Sequence, residues 1–272
     1  MYRIRFFSSF CDSANCKSVY ERLCGPRFEI VTDDSYTHAI IINSAQPLLT
    51  IPKENVIGLA FEPPQLLFRQ FSQGFIEYAQ KHIGKYFIGD TSGLPAPFIS
   101  QYAFMWHITP PQRTPVKNKL MSIMVSEKQY APGHKYRHEL VGAILSTNFE
   151  IDVYGRGSRF FPNDSRIKGE FTDDEPYENY QFHICIENFQ NPDYTSEKYT
   201  NALLWGTTPI YWGAKNTLFP ESTIVLSGDI IKDIMLIRDI LHNPEKYRKT
   251  IDQNAVRKKI SLLHNIDSIF SH

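Results

Sequence analysis

The sequence contains no run of roughly 18 to 20 consecutive apolar residues, the length needed to cross a bilayer. It is therefore expected to be soluble. Its start, "MYRIRFFSSF", interrupts one apolar patch with arginines and has no small-residue cleavage signal, so it reads as a first strand and not as an export signal. Net charge is also missing: 29 basic residues balance 29 acidic ones, which excludes the broad field that gathers nucleic acid or acidic membranes. Any charged ligand must then be held locally. Cysteine is scarce, with Cys11, Cys16 and Cys24 early and Cys185 alone in "FHICIE". Nothing in that spacing demands disulfides or the paired ligands of a zinc site, and free thiols in a reducing cytoplasm are expected. Repeats and low-complexity tracts are absent too.

What remains is an alternation of short apolar runs with helical patterns, the order expected of βα units around parallel sheets. "YRIRFF", "HAIIIN", "NVIGLAFE" and "YFIGD" read as strands of a first lobe, with "RQFSQGFIEYAQKH" as a helix. The proline-rich stretch Trp106 to Lys119, "WHITPPQRTPVKNK", suits neither a helix nor a central strand. The linker is placed there, dividing the chain into lobes 1–114 and 115–272. The second lobe then reads "KLMSIMVS", "FEIDVYG", "YQFHICIEN", "TTPIYWG" and "STIVLS" as strands, with helices over "GHKYRHELVGAILS" and after Ser196. Such a doubly wound lobe places a ligand crevice at the carboxyl ends of its strands. The end of the chain is amphipathic helix broken at Pro244.

The segment "NPDYTSEKYTNALLWGTTPIYWG" begins a helix near Thr195 or Ser196. A hydroxyl N-cap, free backbone N–H groups and the positive dipole end together suit a phosphate. Lys198 adds a full cation in the first turn, and Glu197 is placed to accept hydrogen bonds from ribose hydroxyls. The plainer alternative is a favourable first-turn acid beside a solvated lysine.

The run Phe182 to Ala214, "FHICIENFQNPDYTSEKYTNALLWGTTPIYWGA", resembles the donor-binding signature of the family 10 glycosyltransferases, the α-1,3-fucosyltransferases. It departs mildly, with Thr195-Ser196 where Val-Thr is usual and Ile186 where Phe is usual. Upstream, "IDVYGRG" and "MSIMVSEKQYAPGHKYRHELVGAIL" are similar to further stretches of the family. The resemblance implies an α/β fold of two facing Rossmann-like lobes, the GT-B type. It also implies an inverting transfer of fucose from GDP-fucose to a GlcNAc- or glucose-containing glycan. Arg137, with Lys135 as the alternative, would contact donor phosphate through a planar guanidinium. Glu197 and Lys198 would hold ribose and diphosphate, with Asn188 and Tyr194 shaping the pocket. Glu62 of "GLAFEPP", at a strand end stopped by Pro63-Pro64, would be the general base of an acceptor-side first lobe. Its plainer reading is a turn carboxylate.

Another nucleotide deoxysugar as donor, or a silent nucleotide-sugar or glycan-binding protein, would also fit these residues. No strict Asp-any-Asp motif is present, and Asp173, Asp174 and Glu175 read as solvated surface. Divalent metal is therefore not expected to be essential. His134 and His138 stand one helical turn apart but lack a third ligand. Tyr102, Phe104, Trp106 and His107 could form a sugar platform, though such clusters are more often core. Lack of an anchor suggests a cytoplasmic enzyme of bacterial or viral type.

Overall fold

In the computed structural model, which describes residues 1–8, 14, 28–104 and 115–271, two six-stranded sheets account for all twelve strands of the described residues. The first contains β1 (Tyr2–Phe7), β2 (Phe28–Ile30), β3 (His38–Ile42), β4 (Val56–Leu59), β5 (Lys85–Ile88) and β6 (Phe98–Ser100). Its order is β2-β1-β3-β4-β5-β6, parallel throughout. A parallel sheet is buried on both faces, which is why "HAIII" is apolar at successive positions. Ile40 and Ile42 join Ile4, Phe6, Ile57 and Leu59 on one face, while Ala39 and Ile41 join Val56, Phe75 and Ala79 on the other. Phe75 and Ala79 belong to the helix Gln73–His82, whose Ser72 cap accepts from Phe75 N–H.

The first unit comprises Met1–Thr109, Asn191–Tyr194 and Lys258–His272. The chain thus returns to it twice. At the second return Ile266, Ile269 and Phe270, from the short helix Ile266–Phe270, enter the core of β1 and β3. Lys85 Nζ donates to the carbonyls of Ile269 and Ser271 at 3.0 Å each.

The second unit comprises Pro110–Gln190 and Thr195–Arg257. It contains β7 (Lys119–Met124), β8 (Ile151–Tyr154), β9 (Ile167–Gly169), β10 (Tyr180–Ile186), β11 (Thr208–Trp212) and β12 (Ile224–Val225), all parallel, in the order β12-β11-β10-β7-β8-β9. One face buries Met121, Ile123, Ile151, Val153, Phe182, Ile184 and Ile210 beneath the helices Pro132–Leu145 and Ile230–His242. Ser122, Asp152, His183, Cys185 and Tyr211 occupy the intervening register positions. No helix among the described residues is long and apolar enough to cross a membrane.

Cys11, Cys16, Cys24, Trp106 and His107 lie outside the described residues. The remaining members of the aromatic cluster serve the core: Phe104 packs edge-on against Phe87 at 5.6 Å, and Tyr102 donates its hydroxyl to Lys259 O at 3.0 Å.

Candidate active site

The strand order of the second sheet reverses between β7 and β10: the chain leaves β7 toward β8 on one side, and β10 continues toward β11 on the other. Such a switch point leaves a crevice outside the carboxyl ends of the two strands. A cavity of about 480 Å³ lies there, within the size range of small-molecule and cofactor sites. Its wall includes Met124 to Lys128 after β7, His183 to Ile186 of β10, Arg137, and Glu197 with Lys198.

Arg137 sits in the helix Pro132–Leu145, is 4% exposed, and donates Nη2 to the carbonyl of Ile186 at the end of β10. Burial lowers its pKa, and Glu187 and Glu197 oppose that shift. Lys135, two residues earlier and hence near the opposite side of the helix, is exposed and does not line the cavity. The helix can start this close to β10 because residue 133 is glycine. A Cβ there would fall 1.8 Å from Glu187 O, and Gly133 N–H donates to Asn188 O at 3.0 Å.

Ser196 is the N-cap of the helix Glu197–Leu204, accepting from Lys198 N–H at 3.3 Å. Lys198 Nζ meets Glu197 Oε1 at 2.9 Å, with the two side chains 23% and 44% exposed. Burial works against the lysine charge, but Glu197 and Glu187 outweigh it and raise the pKa. His134 is depressed to about 4, first by burial and then by Arg137, Lys128 and Lys198.

The histidine pair is engaged internally. His134 Nδ1 accepts from Ala131 N–H at 3.3 Å, at the start of its own helix, and His138 Nε2 lies 2.7 Å from Ser126 O, which fixes it as the donor. Among the described residues no three His, Cys, Asp or Glu side chains converge as a metal site would need. The Asp173 segment closes on itself: Thr172 Oγ1 donates to Asp174 at 2.8 Å and Thr172 N–H to Glu175 at 2.7 Å.

Three of the residues singled out in the sequence therefore meet on one cavity: Arg137, Glu197 and Lys198. Asn188 and Tyr194 are not among its lining residues. Asn188 gives its carbonyl to Gly133, and its buried Oδ1 has no hydrogen-bond partner among the described residues. Tyr194 belongs to the first unit, where its hydroxyl donates to Phe61 O at 3.2 Å and its backbone closes over Gly89. Glu62, also in the first unit, is exposed in the loop after β4. Asn43 holds that loop by accepting from Phe61 N–H at 3.0 Å. Lys128 and Arg156, which lie in the family-like stretches but were not singled out, also line the cavity, as does Phe171, which had no sequence signal. Buried Glu187, seen in the sequence only as the end of a strand, accepts from both polar groups of Ser196.

Residues 114–227 match the model of glycosyltransferase family 10 (fucosyltransferase), C-terminal part. A putative fucosyltransferase-like protein of Arabidopsis thaliana is 26% identical over 122 residues, 43% of this chain and 23% of that relative. The chain thus spans about a quarter of the length of that curated relative. A crystal structure of an α1,3-fucosyltransferase aligns over 100% of this chain and 91% of its own at 14% identity, with a TM-score of 0.56. An α1,3-fucosyltransferase with GDP-fucose aligns over 100% and 90% at 14% identity, with a TM-score of 0.53. At that identity the structural likeness concerns the fold, two parallel-sheet α/β domains of GT-B type.

Proposed function

We propose that this chain, fucosyltransferase-like over the bulk of its second unit, is an inverting glycosyltransferase that moves fucose from GDP-fucose to a hydroxyl of a GlcNAc- or glucose-containing glycan. The observation that carries the reading is the meeting of Arg137, Glu197 and Lys198 at a helix start on the switch-point cavity. Backbone donors and two cations are the groups that stabilise a departing diphosphate. Glu197 accepts from the ribose hydroxyls. Asn188 supports the site from the loop that follows β10.

Substitution at the anomeric carbon passes through an oxocarbenium-like state. The acceptor oxygen forms a bond to that carbon as the bond to the diphosphate oxygen breaks, and the electron pair leaves with the diphosphate. Glu62 takes the hydroxyl proton. A single displacement of this kind inverts the centre. Because Lys198, Arg137 and the helix start meet the developing charge, divalent metal is not required.

Calorimetric titration in EDTA with GDP, GDP-fucose, GDP-mannose and UDP-GlcNAc tests the reading. Binding of the GDP ligands alone, weakened by about tenfold or more in Lys198→Ala, is the expected result. Binding of UDP-sugars instead, or binding only after metal is added, overturns the donor assignment.

A further inference from the structure

Glu187 does not line the cavity, yet it is 1% exposed at the end of β10. Burying a carboxylate is costly unless its oxygens are hydrogen-bonded. Both are used on one residue: Ser196 N–H donates to Oε1 at 2.8 Å and Ser196 Oγ–H to Oε2 at 2.7 Å. With its only proton committed to Glu187, the Ser196 hydroxyl can only accept on its other side. It accepts from Lys198 N–H and Lys198 Nζ, each at 3.3 Å.

A chain of contacts thus runs from Glu187 through Ser196 to Lys198. Neighbouring backbone prevents Glu187 from shifting. A Cβ at position 213 would fall 2.5 Å from Glu187 Cγ, just as one at position 133 would strike its carbonyl. The charged groups that face it are Lys198, Glu197 and Arg137.

We propose that Glu187 is a positioning residue of the anion site: its carboxylate locks the Ser196 cap, and through that cap sets the first helical turn and the ammonium of Lys198 for a diphosphate. The inference rests on reading the cavity as a diphosphate site. It has an unusual sign. A negative charge beside an anion site disfavours the anion by Coulomb's law, so neutralising a merely structural Glu187 would tighten binding. Glu187→Gln keeps an acceptor for Ser196 N–H but turns the second contact around, so that Ser196 Oγ must accept from the amide in competition with Lys198. Binding should then weaken despite the favourable loss of charge.

The test is titration of the wild type, Glu187→Gln, Ser196→Ala and the double variant with GDP and, separately, with inorganic pyrophosphate, alongside thermal melts. We expect each single variant to lose on the order of tenfold in affinity for both ligands, with the double no worse than either single, because the two act through one contact. Tighter or unchanged binding in Glu187→Gln, or losses that simply multiply, overturns the proposal. If Glu187→Gln does not fold, Glu187→Asp, which keeps the charge but draws the carboxylate back from Ser196, takes its place, and unchanged or tighter binding in it overturns the proposal. Wild-type binding of pyrophosphate without GDP removes the nucleotide reading but still judges Glu187, whereas binding of neither ligand removes both.

Discussion

The two sheets share strand number and direction but differ in what they bury. The sheet of the first unit is apolar on both faces, from Ile40 and Ile42 on one side to Ala39 and Ile41 on the other. The second has one apolar face, and on the other Ser122, Asp152 and His183 lie side by side in register. The carboxylates differ as well. Glu187 and Glu197 of the second unit are hydrogen-bonded or ion-paired, whereas Glu62 is exposed and has no hydrogen bond or ion pair among the described residues. Buried polar groups cost stability unless satisfied. The second unit thus buries hydrogen-bonded polar groups on one face of its sheet, whereas Glu62 of the first stays at the surface.

The largest test of that contrast is Glu62→Gln. Turnover should fall by about a thousandfold, within the range for loss of a general base, while GDP affinity measured by calorimetry stays within twofold. A parallel loss of binding would mean that Glu62 is part of the donor site and not a base apart from it.

Acid should strike the polar face first. Burial holds His183 at about 3, against about 6.5 in the unfolded chain. The unfolded state therefore binds the proton more readily. The stability that neutral His183 contributes is fully present above about pH 6.5 and is lost as the pH falls toward 3, by about 1.4 kcal/mol per unit. His134, held at about 4, adds a slope of the same sign, so urea melts between pH 7 and 4, followed by tryptophan fluorescence, should lose about half of their pH dependence in His183→Leu.

Arg166 sharpens the comparison from the opposite end of the sheet. Its guanidinium donates to the carbonyls of Ile144, Leu145, Thr147 and Phe149 while pairing with Asp164, so it caps the helix that carries Arg137. Arg166→Met should cost about 3 kcal/mol in thermal or urea denaturation, since four carbonyls lose a charged donor and Asp164 its partner. The smallest effect is expected of Tyr194→Phe. Removing its bond to Phe61 O should cost about 1 kcal/mol and leave GDP affinity within twofold, in keeping with its place in the first unit.

Period and composition made the central strands legible: "YRIRFF", "HAIIIN", "KLMSIMVS" and "TTPIYWG" are β1, β3, β7 and β11. The edge strands β2, β6 and β9 are three residues each, too short to show any period. Amphipathicity identified the closing helices, but an apolar stripe does not say which core it will enter, and Phe270 enters the first. At the site, the Ser196 cap and the Glu197-Lys198 pair were readable because capping and dipole effects act within one turn. The grip of Glu187 on Ser196 was not, because it joins a strand end to a helix cap across an intervening loop, and neither residue advertises its partner.

That β1 and the helix Ile266–Phe270 share one core also fixes an order of events during synthesis. The last residue of the second unit, Arg257, precedes the helix Ile266–Phe270, so the second unit has all its residues before the first does. The first unit, although it is made first, lacks part of its hydrophobic interior until Phe270 emerges. Its oldest strand waits longest for its partners, and during that wait β1 and β3 present an open apolar face to the surroundings of the nascent chain.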